Sequence, residues 1–116
     1  MKKFRSLEEL VKTFQAESQE EWIYTNMEQW NNSSKSNEFY IITEDEIDEL
    51  ADDEVYESAS GAFLPKELED QNLYPWILTS TLEGILLNLN GGKNAPLEKI
   101  RGAINFYREN DAFLSA

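Results

Sequence analysis

No Lys or Arg stands between Lys35 and Lys66, and nine of the fourteen residues from Glu44 to Glu57 are acidic. That interval constrains the fold more than any other feature. A like-charged stretch of this density repels itself and costs folding free energy. Its usual return is an electrostatic field that attracts something basic. Two conformations stay open for it. Thr43 with Glu46 resembles a capping box, and Ile47, Leu50, Ala51 and Val55 approximate a helical stripe. Carboxylates at i, i+4 oppose that helix, so an irregular segment is the alternative.

The flanking sequence must supply the core, and it is apolar enough to do so. Hydrophobic residues make up 41% of the 116 and aromatics 12%, which predicts one folded domain over residues 1–116. Ser6 and Glu9 form a capping box before Leu7, Leu10, Val11 and Phe14, predicting a helix that fades near Glu17. Two strands are expected, at 21–26 and 38–43, forming an antiparallel pair with a long connection. Gln29 to Asn37 is rich in Asn and Ser and reads as a loop, with Trp30 partly exposed in it. Ser58 to Ala62 is turn-like around Gly61.

Further along, Pro65 suits the first position of a short helix that carries Leu68 inward. Pro75 argues against a central strand over 72–79 and leaves an apolar connection or an edge strand. Ser80 with Glu83 reads as a third capping box, ahead of a stripe of Leu82, Ile85, Leu86 and Leu89 that Gly91-Gly92 stops. Pro96 opens a last helix whose face is Leu97, Ile100, Ala103, Ile104 and Tyr107. Asn110 caps it, and Phe113 and Leu114 fold back onto the core. The fold class is therefore α+β, with three or four helices around a small, mostly antiparallel sheet.

Several chemistries are excluded by what is missing. There is no histidine and no cysteine, which removes Ser-His-Asp and Cys-His nucleophilic sites, disulfides, and zinc sites built on either residue. Gly91-Gly92 follows a helix and lacks the spacing of a phosphate-binding loop. Asp45, Asp48, Glu49, Asp52 and Asp53 crowd together as calcium candidates. An EF-hand loop needs glycine at its sixth position, where this chain places Leu50 or Asp53. No catalytic residue, metal or cofactor is expected. Glu8 and Glu9 fall where a signal peptide would be apolar, and no apolar run reaches membrane-spanning length, so a cytoplasmic protein is expected.

The formal charge is −13. That sign repels nucleic acid and anionic membranes and draws in cationic partners. The expected partner-binding residues are Glu44, Asp45, Asp48, Glu49, Asp52, Asp53, Glu54 and Glu57 for the field, with Tyr56 and Trp30 as aromatic anchors. Phe63 also lies near the charges as a candidate anchor, but core packing is the favoured reading for it, and Trp22 and Trp76 are expected in the core. A solvated face that merely maintains solubility is the plain alternative for the acids.

Ser6 to Leu10, Trp22 and the closing Tyr107 to Leu114 segment resemble a group of small, acidic bacterial domains of uncharacterised function. More broadly, the chain looks like the immunity proteins that accompany polymorphic toxins, including those of contact-dependent inhibition systems. The resemblance implies a protein that binds its cognate toxin, often a basic nuclease, and blocks it. A nucleic-acid mimic, whose carboxylates imitate phosphates, and a small adaptor are the rival expectations.

Overall fold

A computed structural model describes residues 1–14, 20–32 and 37–111. Four strands form an antiparallel sheet in the order β1-β3-β2-β6: β1 is Lys2–Phe4, β2 Trp22–Asn26, β3 Phe39–Ile41 and β6 Leu73–Leu78. A separate antiparallel hairpin pairs β4 (Val55–Glu57) with β5 (Phe63–Pro65). Five α-helices occur among the described residues: α1 Leu7–Thr13, α2 Met27–Asn31, α3 Glu44–Asp48, α4 Thr79–Asn88 and α5 Leu97–Asn110. Three 3-10 turns, at Asp52–Glu54, Lys66–Gln71 and Gly92–Asn94, complete the order. The α+β expectation holds; α3 is a short form of the helix that the Thr43 box offers, and α2 stands where a loop was expected.

The pleat sorts side chains to two faces. Ile23, Phe39, Ile41 and Ile77 join the larger core, together with Leu10 of α1, Trp30 of α2, Leu82 of α4 and Ile104 of α5. Tyr40, Ile42 and Leu73 turn the other way and pack with Leu64 and Leu68, with Tyr24, Ile47, Tyr56 and Ala62 at the margin. Every residue of β3 is buried for this reason: the sheet is covered on both sides. Residues 44–71 supply the second cover. Each large apolar side chain buried this way contributes roughly 1.5–3 kcal/mol before entropy is charged against it.

Pro75 is accommodated as its chemistry requires. β6 is an edge strand, and its register with β2 slips between Ile23 and Tyr24, whose partners are Ile77 and Pro75. The extra residue is Trp76, so the proline, which has no N–H, sits at a bulge on an edge. Thr25 and Asn37 form a buried polar pair beside it: Asn37 Nδ2 donates to Thr25 Oγ1 at 2.6 Å, and that hydroxyl donates to the Glu38 carbonyl at 2.7 Å.

Several expectations are corrected. α1 ends at Thr13, with Phe14 in extended conformation, short of Glu17, which lies outside the described residues. Trp22 is 43% exposed, because Ile23 takes the inward position of the pair. The Ser80–Glu83 box does not form. β6 runs straight into α4 at Thr79, which puts Ser80 inside the first turn, where its hydroxyl donates to Glu20 Oε1 at 2.6 Å. Lys66–Gln71 is a 3-10 turn that follows Pro65, and it does bury Leu68. Asn110 is the last residue of α5, and the cap is Asp111 with φ 54°. Phe113 and Leu114 lie outside the described residues.

Trp30 is the largest correction. The segment expected as a loop begins with α2, capped by Asn26, whose Oδ1 accepts from the Gln29 N–H at 3.0 Å. One helical turn then aims Trp30 at the sheet while Asn31 and Asn32 stay wet. The indole is 2% exposed, packs edge-on against Phe39 (6.2 Å) and Trp76 (4.9 Å), and donates to Asn105 Oδ1 at 3.0 Å. The Arg101 guanidinium lies 4.4 Å from its ring centre. Trp30 is a core residue and leaves the list of partner contacts.

Candidate acidic interface

The acids from Glu44 to Glu57 occupy a run of small elements. Thr43 caps α3, its hydroxyl accepting from the Glu46 N–H at 3.3 Å. That fixes Glu44, Asp45 and Asp48 on α3 and Glu49 at its end. Three carboxylates in the first turn suit the positive end of the peptide dipoles, which offsets part of their mutual repulsion. Asp52, Asp53 and Glu54 form the next 3-10 turn, and the Glu54 carboxylate accepts from the Ala51 N–H at 3.0 Å. Tyr56 and Glu57 follow on β4.

Strand alternation sets which side chains of the hairpin face out. Tyr56 pairs with Leu64, and Glu57 with Phe63. Leu64 is buried at 1%, with Tyr56 beside it and the Tyr56 hydroxyl donating to the Leu68 carbonyl at 3.4 Å. Tyr56 is thus half committed to the core. Phe63, expected inside, points away and is 59% exposed, because among the described residues no element covers the outer face of the two-stranded hairpin. The connecting turn depends on Gly61 at φ 87°, with the Ser58 N–H bonded to the Ala62 carbonyl at 2.8 Å.

The electrostatics are lopsided. Residues 44–71 hold twelve acids against one base, Lys66, and so carry −11 of the −13 total; the rest of the chain sets eleven acids against nine bases. Of the nine acids in 44–57, all but Glu46 are exposed. Glu46 pairs with the Met1 ammonium at 2.6 Å, and no ion pair holds the other eight among the described residues. Glu67, Glu69 and Asp70 extend the field. They were not singled out in the sequence because Lys66 and Leu68 interrupt the run, yet their 3-10 turn packs against that of Asp52–Glu54. No three acidic side chains are grouped to hold a metal ion among the described residues.

A groove of about 330 Å³ opens between α3 and the hairpin turn. Tyr24, Ile42, Ile47 and Ala62 supply apolar surface, Phe63 stands at one side, and Glu44 and Asp48 line the other. Tyr24 is held neutral to higher pH than a free tyrosine, first by burial and then by the Glu21 and Glu44 carboxylates. Burial does the same to Tyr56, helped by Glu69. Among the described residues no helix is long and apolar enough to cross a membrane.

No curated protein and no solved structure matches the chain. Residues 4–116 match the family described as a domain of unknown function (DUF7716), and the chain belongs to that family.

Proposed function

We propose that this DUF7716 protein is a cytoplasmic binding protein, not an enzyme, and that its acidic face seats a cationic protein partner. The observation that carries the reading is the concentration of −11 of the −13 charges in residues 44–71, on exposed and largely unpaired side chains. A solubilising role needs charge of either sign spread over the surface. Charge gathered on one cover of the sheet opposes folding there, and its physical return is attraction at a distance. The resemblance to immunity proteins makes a basic toxin domain the partner class to test first. Docking would be steered by the field and held by buried anchors, with a nanomolar Kd, about −12 kcal/mol.

The test uses the basic C-terminal domain of a large protein encoded next to this chain, where the genome provides one. Binding by calorimetry should weaken steeply with salt. Combined charge reversal at Asp48, Glu49, Asp52 and Asp53 should lower affinity at least tenfold, mainly through the association rate, and flatten the salt dependence. Unchanged affinity and salt response in that variant would remove the acidic face from the interface. Inhibition of several unrelated nucleic-acid binders would instead identify a phosphate mimic.

A further inference from the structure

The acidic rim by itself does not define a site; the groove beside it and the uncovered Phe63 do. We infer that this groove receives one basic side chain of the partner, with arginine preferred over lysine, and this rests on the acidic-face reading above. Phe63 has no polar group that favours exposure, yet it is 59% exposed beside a groove of about 330 Å³. That volume is at the small end of ligand clefts, which span roughly 300–1,000 Å³. Ile47 and Tyr24 give it apolar walls. Glu44 and Asp48 stand four residues apart, so both carboxylates project from one edge of α3.

The two halves of this lining reject most occupants. An aliphatic or aromatic side chain would strip water from Glu44 and Asp48 and give nothing back. An acidic one would add like-charge repulsion. A small polar one would leave Phe63 and Ile47 wet. A long stem with a cationic head satisfies both halves: the methylenes cover the apolar wall while the head reaches the carboxylates. A flat guanidinium goes further, since it stacks on an aromatic face and forks to carboxylates, which an ammonium cannot do as well. Phe63 is then the anchor, and the acids from Asp52 to Glu57 act only as the surrounding field.

The experiment is an NMR titration of the labelled protein, at low salt, with tetra-arginine, tetra-lysine and tetra-citrulline, the last being a neutral isostere of arginine. Amides of Ile47, Gly61, Ala62 and Phe63 should shift, more tightly with arginine than lysine and not with citrulline. Phe63→Ala should keep the dispersed spectrum of the folded protein and weaken tetra-arginine by roughly two- to thirtyfold, the range for losing a cation–aromatic contact. Glu44→Gln with Asp48→Asn should do so more than Asp52→Asn with Asp53→Asn. Shifts confined to residues 52–57, or full affinity in Phe63→Ala, overturn the groove and leave the acidic-face reading standing. Failure of both cationic peptides to bind overturns the two together.

Discussion

Replacing Trp30 with alanine should cost about 3–5 kcal/mol of stability, the usual range for deleting a large buried ring. Its ring is 2% exposed and touches Phe39, Trp76 and Arg101, and its N–H has a partner in Asn105. Urea unfolding checks the loss. Once the variant is folded, its partner affinity should match that of the unchanged protein. Phe63 is the opposite case. Exposed at 59%, it should tolerate Phe63→Ser within about 0.5 kcal/mol of the starting stability by the same measurement. The polar neighbours of Trp30 and the apolar Ala62 and Leu64 beside Phe63 suggest the reverse assignment. Local composition fails at both residues because burial depends on which element turns the side chain, and toward what. Leu10, Leu82, Ile100 and Ile104 were legible as core because they lie on periodic stripes, where element type and burial are read together.

At the scale of elements, caps decide which short segments exist. α3 has five residues, four of them acidic, and none fully buried. Packing contributes little to it, so the Thr43 cap and the first-turn dipole contribute a large share. Thr43→Ala should therefore cost about 1 kcal/mol, and hydrogen exchange should show the loss concentrated in the amides of Glu46 to Asp48. The capping signals themselves differ in outcome. Ser6 accepts from the Glu9 N–H at 3.1 Å as read, while the Glu9 carboxylate reaches the Arg5 N–H at 2.7 Å instead of that of Ser6. Thr43 caps as read. Ser80 does not, because the hydrogen bond from the Thr79 N–H to the Glu21 carbonyl at 2.8 Å ties the junction of β6 and α4 to the residue before β2, and helix begins two residues early. A sequence motif states a local preference of about 1 kcal/mol, and a tertiary hydrogen bond of similar size redirects it.

For the molecule as a whole, the second cluster ties the charged cover to the sheet, and its tyrosines make that tie sensitive to pH. Tyr24, Tyr40 and Tyr56 all ionise later than free tyrosine, each chiefly because burial disfavours the phenolate. A raised pKa in the folded state means stability that is fully present below the unfolded value, about 10, and is lost as pH rises toward the folded values. Denaturant midpoints should fall between pH 9 and 11, and Tyr56→Phe should reduce that fall. Salt acts with opposite signs on two properties. Screening relieves repulsion among the acids of residues 44–71 and should raise the midpoint, while the same screening weakens a cationic partner.

The order of residues along this chain was enough to set its α+β class, the antiparallel pairing of β2 with β3, the exclusion of 72–79 from the middle of the sheet, and the existence of a dense negative segment. These follow from short-range physics: side-chain periodicity, the missing N–H of proline, and charge that cannot be neutralised by neighbours in the chain. The chain order did not say that the negative segment would close over one face of the sheet through Ile47, Tyr56, Leu64 and Leu68, nor that Glu67, Glu69 and Asp70 would join it. It did not set Phe63 beside Glu44 and Asp48 either. Those outcomes come from contacts between elements far apart in the chain, where the free energy of burying a shared apolar cluster outweighs the local preference of any one residue.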